Sequence, residues 1–214
     1  MRTSAIFAPS DRRDLALFIE KHPLAHVVSA SGDEIEATPL PLIAETDAAG
    51  GVVALIGHFA CANRHVEMLR QTSRALCMFH GAHGYVSPSW MRDRTQAPTW
   101  NFETAHFVVD LTFAKHESET AKAIELLLDA MEGHAPTRWR SHELGERYDR
   151  LLRGVIGFRA KVIDTRVKFK LGQNERDDVF ADIVAGLQRT GNASLAHAMV
   201  RANGQRQHLV NSTT

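Results

Sequence analysis

A chain of 214 residues, 44% hydrophobic and 23% charged, has enough apolar mass for one buried core and is neither a disordered nor a collagen-like sequence. Lys plus Arg and Asp plus Glu number 25 each, so the formal charge is zero, which excludes a chain that grips nucleic acid by net charge alone. Two cysteines, Cys61 and Cys77, in no CxxC pair, exclude a disulfide scaffold, and no window approaches a run of apolar residues long enough to span a bilayer. The expectation is a soluble, cytoplasmic protein with free thiols and no membrane contact.

In chain order, Ser10 is placed to cap a helix whose inward residues are Leu15, Phe18 and Ile19, ended by Pro23. Three extended runs follow at 24–30, 34–45 and 51–59, separated by the turns Ser31-Gly32-Asp33 and Ala48-Ala49-Gly50-Gly51, which reads as a strand meander. Pro39 and Pro41 cannot donate to a ladder, so the second run belongs at a sheet edge or a bulge. Asn63 is placed to cap a short helix over 65–71. Extended chain then returns at 74–81 and 82–90, bounded by Gly81, Gly84 and Pro88. After a polar loop at 91–99 comes an aromatic strand at 100–113, long enough to cross a curved barrel wall.

Ala123, Ile124, Leu127, Leu128 and Met131 recur at helical spacing and predict a helix over 117–132, stopped by Gly133 and Pro136. A shorter helical pattern carries Leu144, Tyr148, Leu151 and Leu152. The strand that follows alternates Val167, Phe169 and Leu171 against Arg166, Lys168 and Lys170, so one face is core and the other cationic. Two helices close the pattern. Asn174 with Asp177 resembles a cap pair before Val179, Ile183 and Leu187, Gly191 ends that helix, and Asn192 starts the next with Leu195, Met199 and Val200. Between 174 and 204 the cations Arg176, Arg189 and Arg201 face the acids Glu175, Asp177, Asp178 and Asp182, a deficit that favours a packed hairpin over a DNA-reading helix-turn-helix.

Several chemistries lack their residues. Neither histidine pair, His22 with His26 or His80 with His83, is completed by a third ligand, so no metal site is expected. There is no GxSxG, no Walker loop and no GxGxxG, and Cys61 near His65 is the lone thiol–imidazole pairing in view; no catalytic residue is assigned. Phosphate could instead sit at the helix start marked by Asn63, with Arg64, Lys168 or Lys170 as counter-charge. Trp90 and Trp100 fall in the densest run of unusual residues, 57–101, and suit either a stacked planar heterocycle or a dimer interface.

Four ordered segments, GHFACAN at 57–63, HGAHGYVSPSWM at 80–91, APTWNFE at 97–103 and KFKLGQN at 168–174, resemble the PaiB family, the FMN-binding negative transcriptional regulators. That resemblance implies an α+β, mainly β fold: a split β-barrel related to pyridoxamine-phosphate-oxidase-like flavoproteins, with peripheral helices and a C-terminal helical pair. The division it suggests is a barrel over 1–172 and a helical segment over 173–214. It further implies a homodimer with FMN in the cleft between subunits and a role as repressor or ligand sensor; direct DNA contact has weak support. A flavin-dependent oxidoreductase and a haem-binding or haem-degrading protein on the same barrel are the alternatives.

Carried onto this sequence, the family motifs, with Arg64 as added counter-charge, mark His58, Asn63, Arg64, Tyr85, Ser87, Trp90, Trp100, Asn101, Lys168, Lys170, Gln173 and Asn174 as cofactor-binding candidates. His58, Asn63 and the cations are assigned to the phosphate or ribityl chain, Tyr85 and Trp90 to the ring, and Gln173 with Asn174 to the chain end. The family commonly has arginine or lysine where this sequence has Cys61, and serine is frequent at the position of Gly172. Losing one charge-assisted phosphate contact costs about 1.5–3 kcal/mol, so FMN occupancy is expected to suffer unless Arg64 or another cation substitutes.

Overall fold

The computed structural model describes residues 4–9, 11–133 and 137–206, which leaves the predicted Ser10 cap and Pro136 stop outside the described residues. The helices are α1 Arg13–Lys21, α2 Arg64–Thr72, α3 Glu117–Glu132, α4 Arg147–Leu152, α5 Asp177–Arg189 and α6 Ala193–Ala202. The strands are β1 Leu24–Ser31, β2 Glu34–Pro41, β3 Ile43–Thr46, β4 Val52–Ala60, β5 Arg74–Val86, β6 Thr99–Phe113 and β7 Val155–Lys170. No helix among the described residues is long and apolar enough to cross a membrane.

The strands form one sheet in the order β2-β1-β5-β6-β7-β4-β3. β1 runs antiparallel to β2 and β5, and β4 runs antiparallel to β3 and β7. No ladder closes the sheet, but its two edges are one stretch of chain: β2 ends at Pro41, β3 begins at Ile43, and Leu42 alone separates them. Two trans peptides hold those Cα atoms within about 7.6 Å, so the seam is bridged by covalent chain. This is an α+β, mainly β split barrel with peripheral helices and a C-terminal helical pair.

The run 34–45, predicted as a single strand, therefore breaks at Leu42, where the chain exchanges β1 for β4 as its partner. Leu42 is fully buried at the break and its N–H donates to the Pro23 carbonyl at 2.9 Å, off the ladder. β2 is an edge strand, which accommodates Pro39 and Pro41 without loss of a ladder bond.

The chain clusters into two compact units. One, the barrel unit, spans Asp11–Phe79 and His106–Thr165. Its core holds Val27, Leu42, Leu55, Phe79 and Phe107, none with more than 0% exposure, and a ring cluster in which Phe59 meets Phe113 at 6.1 Å and Phe158 at 5.2 Å between centroids. Each buried Phe contributes about 1.5–3 kcal/mol. On α3, Thr120, Ala123 and Leu127 are buried, whereas Met131, expected inside, is exposed beside the helix end at Gly133.

The other, the hairpin unit, comprises the described residues of Met1–Ser10, His80–Ala105 and Arg166–Thr214. α5 buries Val179, Phe180, Ile183 and Leu187, and α6 buries Leu195 and Met199. Asn192 caps α6 by accepting from the Leu195 N–H. The expected Asn174–Asp177 cap of α5 does not form: the N-cap is Arg176, whose guanidinium bonds Asp178 and, from the distant loop, Asp93 at 3.0 Å. The helix start there carries one local and one tertiary ion pair in place of the expected cap.

Candidate functional site

Of the twelve candidates, His58, Asn63 and Arg64 fall in the barrel unit and the other nine in the hairpin unit. His58 lies on β4 opposite Gly157 of β7. Its Nδ1 is buried without a hydrogen-bond partner, and burial holds the imidazole pKa below its ordinary value. An orphaned ring nitrogen of this kind is what a missing ligand atom would satisfy.

Asn63 caps α2 as predicted, its Oδ1 accepting from the His65 N–H at 2.9 Å, and its Nδ2 donates to Thr38 Oγ1 at 3.3 Å. The side chain is thus spent on structure at both ends. Arg64 is the open group: its side chain is 78% exposed and its Nε lies 3.9 Å from Glu36 Oε1, a contact worth little in water. Cys61 is exposed, and its thiol approaches the Arg153 carbonyl at 3.7 Å, so this position supplies no cation.

A group missed by the sequence reading stands behind that helix start. His65 is fully buried, with Nε2 2.7 Å from Ser29 Oγ and Nδ1 2.9 Å from Thr38 Oγ1. One proton assignment satisfies the whole chain of contacts: Nε2–H donates to Ser29, Ser29 to the Met68 sulfur at 3.2 Å, Thr38 to Nδ1, and Asn63 to Thr38. His65 is neutral in this assignment, and burial lowers its pKa. The signal was present in helical spacing, since His65 shares the inward face of α2 with Met68 and Leu69. With both nitrogens engaged, this ring is not a base for Cys61.

In the hairpin unit, Tyr85 and Trp100 are half exposed, with ring centroids 6.3 Å apart, and His83 stacks on Trp100 at 6.4 Å and 20°. They present flat aromatic surface to solvent. Trp90 is instead locked against α5: a Cβ on Gly186 would lie 2.5 Å from its ring. Ser87 caps the short turn Pro88–Trp90 by accepting from the Ser89 N–H. Asn101 is 1% exposed, its Nδ2 3.6 Å from the Met199 sulfur and its Oδ1 unpartnered.

The two lysines are engaged rather than free. Lys168 Nζ lies over the Phe7 and Phe102 rings at 5.5 and 5.8 Å, a cation–π pairing. Lys170 donates to Thr99 Oγ1 and to the Trp100 carbonyl, and burial lowers its pKa. Gln173 closes a turn, accepting from Leu171 N–H and donating to the Phe169 carbonyl at 2.5 Å, while Asn174 is exposed. Among the described residues no cluster of three His, Cys, Asp or Glu side chains is placed to hold a metal.

A family model described as "Putative FMN-binding domain" matches residues 1–164. The chain belongs to that family. Within reach of the FMN-binding-domain family is a curated relative, the protease synthase and sporulation protein PAI 2 of Bacillus subtilis, 28% identical over 190 residues that cover 87% of this chain and 88% of the relative. Among solved structures, a FAD- and haem-binding protein of Mycobacterium smegmatis superposes with a TM-score of 0.61 at 17% identity, covering 83% of this chain and 79% of that one. The flavocytochrome Anf3 of Azotobacter vinelandii gives 0.61 at 14% identity, covering 79% and 72%. These two likenesses establish the shared fold.

In the barrel unit, Arg64 offers a cation and His58 an unfilled ring nitrogen, donor types that fit a phosphorylated flavin chain, while Asn63 is held in local contacts. In the hairpin unit, taken by itself, Tyr85 and Trp100 offer aromatic faces, whereas Ser87, Trp90, Lys168, Lys170 and Gln173 are held in local contacts.

Proposed function

We propose that this protein is a PaiB-like FMN-binding protein that works as a homodimeric ligand sensor or negative transcriptional regulator. The observation that carries the flavin part is the family match over residues 1–164, and the relative PAI 2, matched over most of both chains, supports the PaiB-like reading. In the barrel unit the phosphate partner on this reading is Arg64, and His58 Nδ1 is a hydrogen-bond partner for the cofactor chain; in the hairpin unit the exposed Tyr85–Trp100 pair is aromatic surface for a ring or a subunit seam. Bound flavin would supply electron transfer; this chain's own residues bind it and orient it.

The deciding experiment is the visible spectrum of freshly purified protein, followed by FMN titration with melting temperature as readout. A flavin spectrum, or stabilisation that saturates with FMN, is expected. Colourless dialysed protein that FMN fails to stabilise overturns the cofactor assignment, and a haem band in its place would favour the haem alternative. Bleaching of the bound flavin by NADH or NADPH under anaerobic conditions would move the reading to an oxidoreductase. Retardation of DNA from the upstream region at low salt tests direct repression.

A further inference from the structure

The barrel unit holds a cleft of about 820 Å³ that none of the twelve flavin candidates lines, although His58, opposite Gly157, shares its sheet face two residues beyond Ile56. Its floor follows from strand register. Ile43 of β3 sits opposite Ile56 of β4, which sits opposite Arg159 of β7; in the next row Glu45 faces Ala54, and Ala54 faces Lys161. Directly opposed residues share a sheet face, so one row is mostly apolar and the other carries charge. α3 covers this face through Gly157, whose N–H donates to Thr120 Oγ1 at 3.1 Å and where a Cβ would meet the Thr120 Cα at 3.0 Å. The helix contributes Lys122 and the part-exposed Leu126 to the lining.

The three acids on the lining are already engaged. Glu45 is gripped by the Arg159 guanidinium through two bonds of 2.6 and 2.8 Å, which hold its pKa below the ordinary carboxylate value. Asp110 pairs with Arg74 at 2.9 Å, and Glu119 accepts from the Lys115 N–H at 2.8 Å. Lys122 and Lys161 form no ion pair among the described residues, although Lys122 acts on Glu45 at longer range. Glu45 and Asp110 are ion-paired, whereas Glu119, bonded to a backbone N–H, keeps its charge; set against the two lysines it leaves a surplus of one positive charge beside apolar surface.

We propose that this cleft is a ligand site separate from the flavin site, and that it takes a small organic anion with an apolar body. The carboxylate or equivalent head pairs with Lys122 and Lys161, and the body lies on Ile43, Ile56 and Leu126. The volume is within the range of small-molecule sites, about 300–1,000 Å³. Such a site gives a sensor an input of its own, independent of the cofactor.

The test is calorimetric titration of the full chain with decanoate, kept below its micelle concentration, and with decyltrimethylammonium as the oppositely charged probe of similar tail. Decanoate is expected to bind, the cationic probe to bind at least about tenfold more weakly, and the K122Q/K161Q double variant to lose at least about tenfold in decanoate affinity at unchanged melting temperature. L126S, at an already part-exposed position, should weaken decanoate without altering its preference over the cation. Saturating FMN should leave the decanoate affinity unchanged. Equal binding of both probes, an unaffected double variant, or competition between FMN and decanoate each overturns the proposal. Failure of the flavin reading shows separately, as absence of FMN binding by the same preparation.

Discussion

Replacing His65 tests the physical support of the proposed phosphate-binding helix start. His65→Ala removes two buried hydrogen bonds, of 2.7 Å to Ser29 and 2.9 Å to Thr38, and the edge contact with Phe59 at 5.4 Å. Two net hydrogen bonds contribute about 1–3 kcal/mol, and the vacated ring adds a cavity penalty, so a loss of about 3 kcal/mol is expected. For a chain of this size that lowers Tm by about 6–12 °C. His65→Gln, which keeps a donor and an acceptor at the ring's position, should cost less. The pH dependence gives a second readout. Burial depresses the folded-state pKa of both His58 and His65, so between that value and the unfolded value near 6.5 the unfolded chain binds the proton and the folded chain does not. Stability is therefore complete above about pH 6.5 and falls on acidification, by at most about 1.4 kcal/mol per pH unit for each histidine. Urea unfolding at a series of pH values should show His65→Gln losing part of this slope and the His58→Asn, His65→Gln pair losing more. A His65→Ala variant that melts within a degree of the parent and keeps the full acid slope would refute the account of the network.

The remaining expectations are shorter. Arg64→Gln should weaken FMN about ten- to a hundredfold, read by fluorescence titration, because it removes the exposed cation at the α2 start. Cys61→Arg, which introduces charge at an exposed position, should tighten FMN by about tenfold; no gain would mean that Cys61 does not neighbour the phosphate. Gly186→Ala drives a Cβ to within 2.5 Å of the Trp90 ring and should cost about 1–3 kcal/mol, with a shift in tryptophan emission.

Where a signal was local, the chain could be read directly. Gly32 and Gly133 adopt the positive φ that a turn and a helix stop require, Asn63 and Asn192 cap the helices they precede, and the alternation that buries Phe169 at the end of β7 also buries Leu171 just after it. The break at Leu42 was not readable, because the sequence from Glu34 to Glu45 keeps one strand-like pattern while its partner changes. That change depends on β1 and β4 being far apart in sheet order, a property of the whole barrel. Arg176 makes a related point at smaller scale: its guanidinium bonds both Asp178 and Asp93, and the second partner, 83 residues away, leaves no local mark in the sequence.

The candidate site was legible as residue types and not as roles. Lys168 and Lys170 read as a cationic face with two outcomes, phosphate contacts or solvated charges, yet in the structure aromatic rings and a backbone carbonyl hold them. Asn63 carries both a motif position and a cap, and the cap consumes its side chain. A polar side chain has a fixed number of donors and acceptors, and each one satisfied within the fold is withdrawn from a ligand. By that count His58 Nδ1, Asn101 Oδ1 and Arg64 keep capacity among the candidates, as do the lysines Lys122 and Lys161 of a cleft to which no motif pointed. A motif records which residues recur together; the unspent hydrogen bonds and charges determine which of them are free to hold something else.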